Sequence, residues 1–243
     1  MNPKTILIAG AFSIALTGTA AAVDAPMAMP GMVYDWTGGY FGAFAGGAWG
    51  DVDVDDVDGY NGVTAGDFSY DADGFLGGVL AGYNWQNDSL VFGIEGAVGY
   101  LGLDDSAQFP PYVGVRLPGD SRSSIDTDFF ASLTGHVGIA AENLLFYLKG
   151  GVIGVNTDVS FIDTDPTGIT LVAGTSASEF MVGWTGGGGA LIGLDNGWII
   201  GGEYMYADLG DINVSATGSD AVVYNFNHDV TVHTFKVIVG KRM

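Results

Sequence analysis

Phe180 to Leu209 reads FMVGWTGGGGALIGLDNGWIIGGEYMYADL, and its pattern decides the fold. Two apolar, glycine-rich runs, Phe180 to Leu194 and Trp198 to Leu209, flank Asp195-Asn196-Gly197, residues that tolerate positive φ and suit a tight hairpin connection. Side chains on a strand alternate between faces, so each parity of a run shares one environment. Phe180, Val182, Trp184, Ile192 and Leu194 share one parity of the first run, whereas in the second run Glu203 leaves Ile200, Tyr204 and Tyr206 on the opposite face. Large apolar side chains on one face and small or charged ones on the other are what a strand needs when lipid lies on one side.

The same unit recurs. Apolar runs lie near Trp36 to Trp49, Phe75 to Trp85, Leu90 to Leu103, Phe129 to Ala140, Leu144 to Val155 and Val230 to Lys241, besides the two above. Each is long enough to cross a bilayer as a strand of about 9 to 11 embedded residues. The gaps alternate. Those after the second, fourth and sixth runs hold a few residues, such as Gln86 to Ser89, Glu142-Asn143 and Asp195 to Gly197, while the others are long, polar and acidic. This predicts an all-β fold: an eight-stranded antiparallel up-and-down transmembrane β-barrel with four long extracellular loops and three short periplasmic turns. Trp36, Trp85, Tyr100, Trp184, Trp198 and Tyr206 stand at strand ends, where interfacial girdles belong.

Composition agrees with a membrane barrel. The chain is 48% hydrophobic yet carries a net charge of −21, which reconcile if charge is confined to the gaps. Glycine supplies 41 of 243 residues, far above its ordinary share and without a collagen period, and small side chains suit a narrow, curved sheet. No cysteine is present, so no disulfide framework is encoded. Lys4, the apolar Ile6 to Leu16 and Ala20-Ala21-Ala22 predict a signal peptide over 1–22. An extended lead-in over 23–35 then precedes the barrel domain, 36–243. Export places that barrel in the outer membrane, with outer-membrane lipids and lipopolysaccharide around it and the barrel-assembly machinery as a partner during biogenesis.

Charges inside the apolar runs fix which face points inward. Glu95 shares its parity with Gly93, Ala97 and Gly99, leaving Phe92, Ile94, Val98 and Tyr100 for lipid, and Lys149, Glu203 and Lys236 sort their strands the same way. With His136 these residues all point into a lumen just wide enough for its own side chains. Buried unpaired charge is costly, so Glu95, Lys149, Glu203, Lys236 and His136 are expected to form an ion network that plugs the barrel.

Other features carry less chemistry. Asp51, Asp53, Asp55, Asp56, Asp58, Asp67, Asp71 and Asp73 make the first long loop acidic, but without the spacing of an EF-hand. A solvated face, with loose divalent-cation bridging to lipopolysaccharide, is the expectation there. Three histidines, His136, His228 and His233, accompany Ser124, Ser132 and Ser215, with no nucleophile motif framing any serine, so no catalysis and no cofactor are expected. The loop-end histidines with Tyr224 and Phe226 leave hemin capture as an alternative, and a small-solute porin as another. Gly186 to Gly189 lacks the lysine-serine ending of a phosphate loop. Seven basic residues against 28 acidic ones exclude nucleic acid as a partner.

Trp36-Thr37-Gly38-Gly39-Tyr40-Phe41-Gly42 resembles the first strand of the alphaproteobacterial porin-family outer-membrane proteins, which open with W-T-G-x-Y-x-G. Phe75-Leu76-Gly77-Gly78 leading to Ala81-Gly82-Tyr83-Asn84-Trp85-Gln86 is similar to that family's second strand, and Phe92-Gly93-Ile94-Glu95-Gly96 to its third. The resemblance spans essentially the whole chain after the signal. It implies an OmpA-like small barrel, a surface antigen supporting envelope integrity, with porins and hemin binders among its members. That family usually ends in an aromatic residue read by the assembly machinery. This chain ends Val239-Gly240-Lys241-Arg242-Met243, which keeps the outward parity at Met243 but not the aromatic.

Overall fold

The structure, a computed structural model, describes residues 34–57, 68–108, 122–164, 170–217 and 221–243. Eight strands follow in order: β1 (Gly38–Asp56), β2 (Phe68–Asn87), β3 (Leu90–Gln108), β4 (Arg122–Ala141), β5 (Leu144–Thr164), β6 (Thr170–Gly193), β7 (Trp198–Thr217) and β8 (Val223–Arg242). Each pairs antiparallel with the next, and β8 pairs with β1, so the sheet closes without an edge. In hydrocarbon this closure is what satisfies the backbone, since an open edge would leave a row of N–H and C=O groups without partners. The tight connections place Asp88, Glu142, Asn196 and Gly197 at positive φ, the conformation that a short hairpin of the right twist demands.

The two faces separate as the parity predicts. Phe41, Phe75, Phe92, Ile94, Leu133, Leu148, Val182 and Val237 are exposed on the outside, while Tyr40, Phe44, Leu76, Leu80, Leu145 and Ile238 are buried within. Inward glycines make room for large lumen side chains at close approaches. A side chain at Gly82 would collide with the Tyr40 ring, and one at Gly189 with the Tyr147 phenol.

Strand length departs from the sequence expectation. The strands run well past the lipid-facing band at their loop ends: Asp51 to Asp56 lie in β1, and Asp71 and Asp73 in β2, rather than in a loop. Val52 and Val54 are buried in the interior while Asp51, Asp53 and Asp55 face outward, so this acidic stretch is a two-faced strand with an aqueous exterior. Asp58 and Asp67 lie outside the described residues. The barrel's apolar core continues into the collar so formed, where Leu103, Ile125, Val159, Ile212, Val214, Phe226 and Val230 join Val52 and Val54.

Trp36 also departs from expectation. It is not a girdle residue at the head of a strand: β1 begins at Gly38, whose φ of 125° turns the preceding chain under the barrel, and Trp36 is 1% exposed. Tyr34 and Asp35 are accordingly docked. Tyr34 N–H donates to the Glu142 carbonyl at the β4–β5 turn, and Trp36 N–H donates to the Gln86 side chain at 2.7 Å. The Arg242 guanidinium donates to the Asp35 carbonyl and lies 5.1 Å from the Tyr34 ring centre. This latch covers the end of the barrel that carries the tight turns. The expected signal segment, 1–22, and the rest of the lead-in lie outside the described residues.

Candidate functional site

Midway along the lumen, inward parity on four strands brings Glu95 (β3), Lys149 (β5), Glu203 (β7) and Lys236 (β8) together. Lys149 Nζ lies 2.7 Å from Glu95 Oε1 and 2.5 Å from Glu203 Oε2, and Lys236 Nζ lies 2.8 Å from Glu203 Oε1. In a ring of eight strands β3 and β7 are diametrically opposed, so Lys149 joins carboxylates from opposite walls. Two phenols complete the set: Tyr40 donates to Glu95 Oε2 at 2.8 Å and Tyr147 to Glu203 Oε2 at 2.6 Å. Two acids and two bases cancel, and the low dielectric that makes lone charge costly here strengthens each pair. Lys236 also sits 4.6 Å from the Phe44 ring centre, covering the apolar part of the wall with its stem.

His136, the fifth expected member, points inward but stays outside the ion pairs. Its Nε2 lies 2.9 Å from Asn84 Oδ1, and its ring packs 5.6 Å from Tyr147. The two tyrosines and Asn84 were not singled out from sequence. Tyr147 was legible, since it precedes Lys149 by two residues and shares its face; Tyr40 lies in a run, Trp36 to Trp49, that holds no charged residue to set its phase.

Above this layer Leu76, Leu101, Phe130, Ile153, Met205, Leu209 and Val232 surround a cavity of about 40 Å³ floored by the charged groups. That space holds a few water molecules rather than an organic ligand. Among the described residues no three His, Asp or Glu side chains converge as a metal site.

The loop-end histidines do not form a common ligand set. His228 is fully buried in the collar and His233 points outward from the same strand, so the two cannot converge on one porphyrin. His228 Nε2 lies 3.1 Å from Ser123 Oγ, a serine the sequence reading passed over. Both are sealed from solvent. A serine-histidine pair without an orienting carboxylate or an open approach lacks the parts of a hydrolase site. Ser124 instead pairs with Ser160 at 2.7 Å, and Ser215 donates to Asn225 at 2.7 Å.

The family model described as "Outer membrane protein beta-barrel domain" matches residues 11–242. The chain belongs to this outer-membrane β-barrel family. Among relatives of this barrel protein, the 31 kDa outer-membrane immunogenic protein of Brucella melitensis is 30% identical over 233 residues, covering 87% of this chain and 89% of that protein. The 25 kDa outer-membrane immunogenic protein of Brucella abortus is 27% identical over 224 residues, with 89% of each covered. Among solved structures, the outer membrane protein OprG from Pseudomonas aeruginosa aligns with a TM-score of 0.50 at 15% identity, over 85% of this chain and 98% of that one. That likeness concerns the fold. Family and relatives place this barrel protein in the outer membrane.

Proposed function

We propose that this barrel is a non-catalytic structural and surface protein of the outer membrane, its lumen closed by its own side chains. The observation that carries this reading is the neutral network of Glu95, Lys149, Glu203 and Lys236, which joins opposite walls of the barrel. A solute would have to part three ion pairs and two phenol hydrogen bonds, then pass the Trp36 latch. Function then resides in stiffening the envelope and in the surface carried by the collar and loops. The Brucella relatives are named as immunogenic, which suits a surface role. Export with removal of residues 1–22, lipopolysaccharide as the surrounding lipid and loose divalent cations at the acidic collar belong to the same proposal. Single-channel recording on the refolded protein tests it. Rare, small openings are expected, and a large, stable conductance would replace this reading with the small-solute porin.

A further inference from the structure

The outer surface of β6, β7, β8 and β1 carries a row of rings at the upper edge of the lipid-facing band: Trp184, Tyr206, His233 and Trp49, with Tyr204 just below. The row is organised. Trp49 and His233 stack at 5.8 Å and 8°, Tyr206 meets His233 at 5.1 Å, and Trp184 meets Tyr206 at 5.2 Å. Tyr204 OH lies 2.7 Å from His233 Nδ1. Trp49, Trp184 and Tyr204 remain exposed. One step beyond, on the same outward parity, stand carboxylates. Asp51 follows Trp49 and pairs across strands with Asp71, Asp73 stands opposite Trp49, and Asp208 accepts from the Trp184 indole at 3.2 Å. Asp229 comes next, paired across strands with both Asp53 and Asp211.

Like charges in direct cross-strand register repel. Among the described residues the lysines and arginine of these strands are Lys236 in the lumen and Lys241 and Arg242 at the opposite end, so none answers this row. Aromatic faces bordered by carboxylates are the chemistry that holds an ammonium cation. The surface is also continuous, through Phe235, Val237 and Val182, with the apolar band that meets lipid tails.

We propose that this sector docks a membrane lipid whose headgroup presents an ammonium group. The cation lies over the Trp49 and His233 faces with Asp51 and Asp208 as counter-charges, and the acyl chains run down the apolar wall below. An anionic headgroup meets the aspartates around this row and is held off unless a divalent cation bridges the two. A soluble amine gains the cation contacts but not the apolar wall.

The test refolds the full chain into vesicles of equimolar phosphatidylethanolamine and phosphatidylglycerol, with brominated acyl chains on one lipid or the other. Tryptophan quenching then reports which lipid lies alongside. In a Trp85→Phe/Trp198→Phe background the exposed reporters are Trp49 and Trp184. Brominated phosphatidylethanolamine is expected to quench them about three-fold more than brominated phosphatidylglycerol. Asp51→Asn/Asp208→Asn should abolish that preference while heat-modifiable gel migration persists, because these side chains point away from the sheet and its core. Equal quenching by the two lipids overturns the proposal, as does a preference that survives the asparagine substitutions. The same preference in a Trp49→Phe/Trp184→Phe protein, which reads the opposite rim, would reduce the effect to net charge. A switch to phosphatidylglycerol on adding calcium would mark a cation-bridged anionic lipid instead.

Discussion

Glu203 is the most heavily engaged residue of the lumen: its side chain is fully buried and it takes two lysines and the Tyr147 phenol. Glu95 takes one lysine and one phenol, and its side chain keeps slight exposure. Removing one partner of a buried pair leaves the others uncompensated, at a cost of about 3–5 kcal/mol. Glu203→Gln therefore leaves Lys236 without a carboxylate and Lys149 with Glu95 alone, whereas Glu95→Gln leaves both lysines on Glu203, so the first is expected to lower the urea midpoint of the barrel in vesicles more than the second. Equal midpoints for the two variants would show that the second lysine of Glu203 adds nothing to stability. Inward parity made all four charged residues legible in the sequence, because each interrupts an apolar run. Which acid meets which base was not legible, since that depends on closure bringing β3 opposite β7. The glycines that admit the tyrosines were equally opaque: Gly82 reads as one small residue among many until Tyr40 is seen lying over it.

At the scale of elements, each strand has two halves with different surroundings. The lower half turns apolar side chains to lipid, whereas the collar turns aspartates to water around the continuing aliphatic core. His228 sits in that core, and burial pushes its imidazole down to about 4. An unfolded histidine binds its proton near pH 6.5. The folded collar thus resists a proton that the unfolded chain accepts, so the stability from neutral His228 is complete above about pH 6.5 and is lost as pH falls towards about 4. Asp126 and Asp229 act with the opposite sign. Partial burial and neighbouring aspartates raise both carboxyls, so their protonation relieves strain as pH falls. His228→Phe is expected to remove the acid-side loss of hydrogen-exchange protection in β7 and β8 above pH 4 while leaving the lipid-embedded halves unchanged. An acid transition identical to that of the parent would assign it elsewhere. The collar was the least legible part of the fold. Asp51 to Asp55 alternates aspartate with valine, a strand signal of period two, but its charge density resembles that of a solvated loop. Charge excluded lipid from that surface, and nothing in the composition alone showed that a sheet continued beyond the membrane.

Over the whole molecule, the number of strands, their closure and the side of each residue follow from a repeating apolar unit and its short turns. The latch does not, because Trp36 is adjacent to β1 in sequence and reads as its first aromatic. The positive φ at Gly38 folds it underneath. Asp35 and Arg242 stand 207 residues apart, and the Met243 N–H donates to the Gly39 carbonyl at 2.8 Å beside them. Contacts between chain ends form late, since the loop they close is the longest available. In a protein whose other four tryptophans are phenylalanine, Trp36 emission should change after the circular dichroism of the hairpins has plateaued, and simultaneous traces would refute that order. The two termini therefore act as a seam check. A chain whose first and last strands have failed to meet lacks the Arg242 contacts to Asp35 and Tyr34, so its lead-in is held only through Glu142 and Gln86 beside two of the hairpin turns.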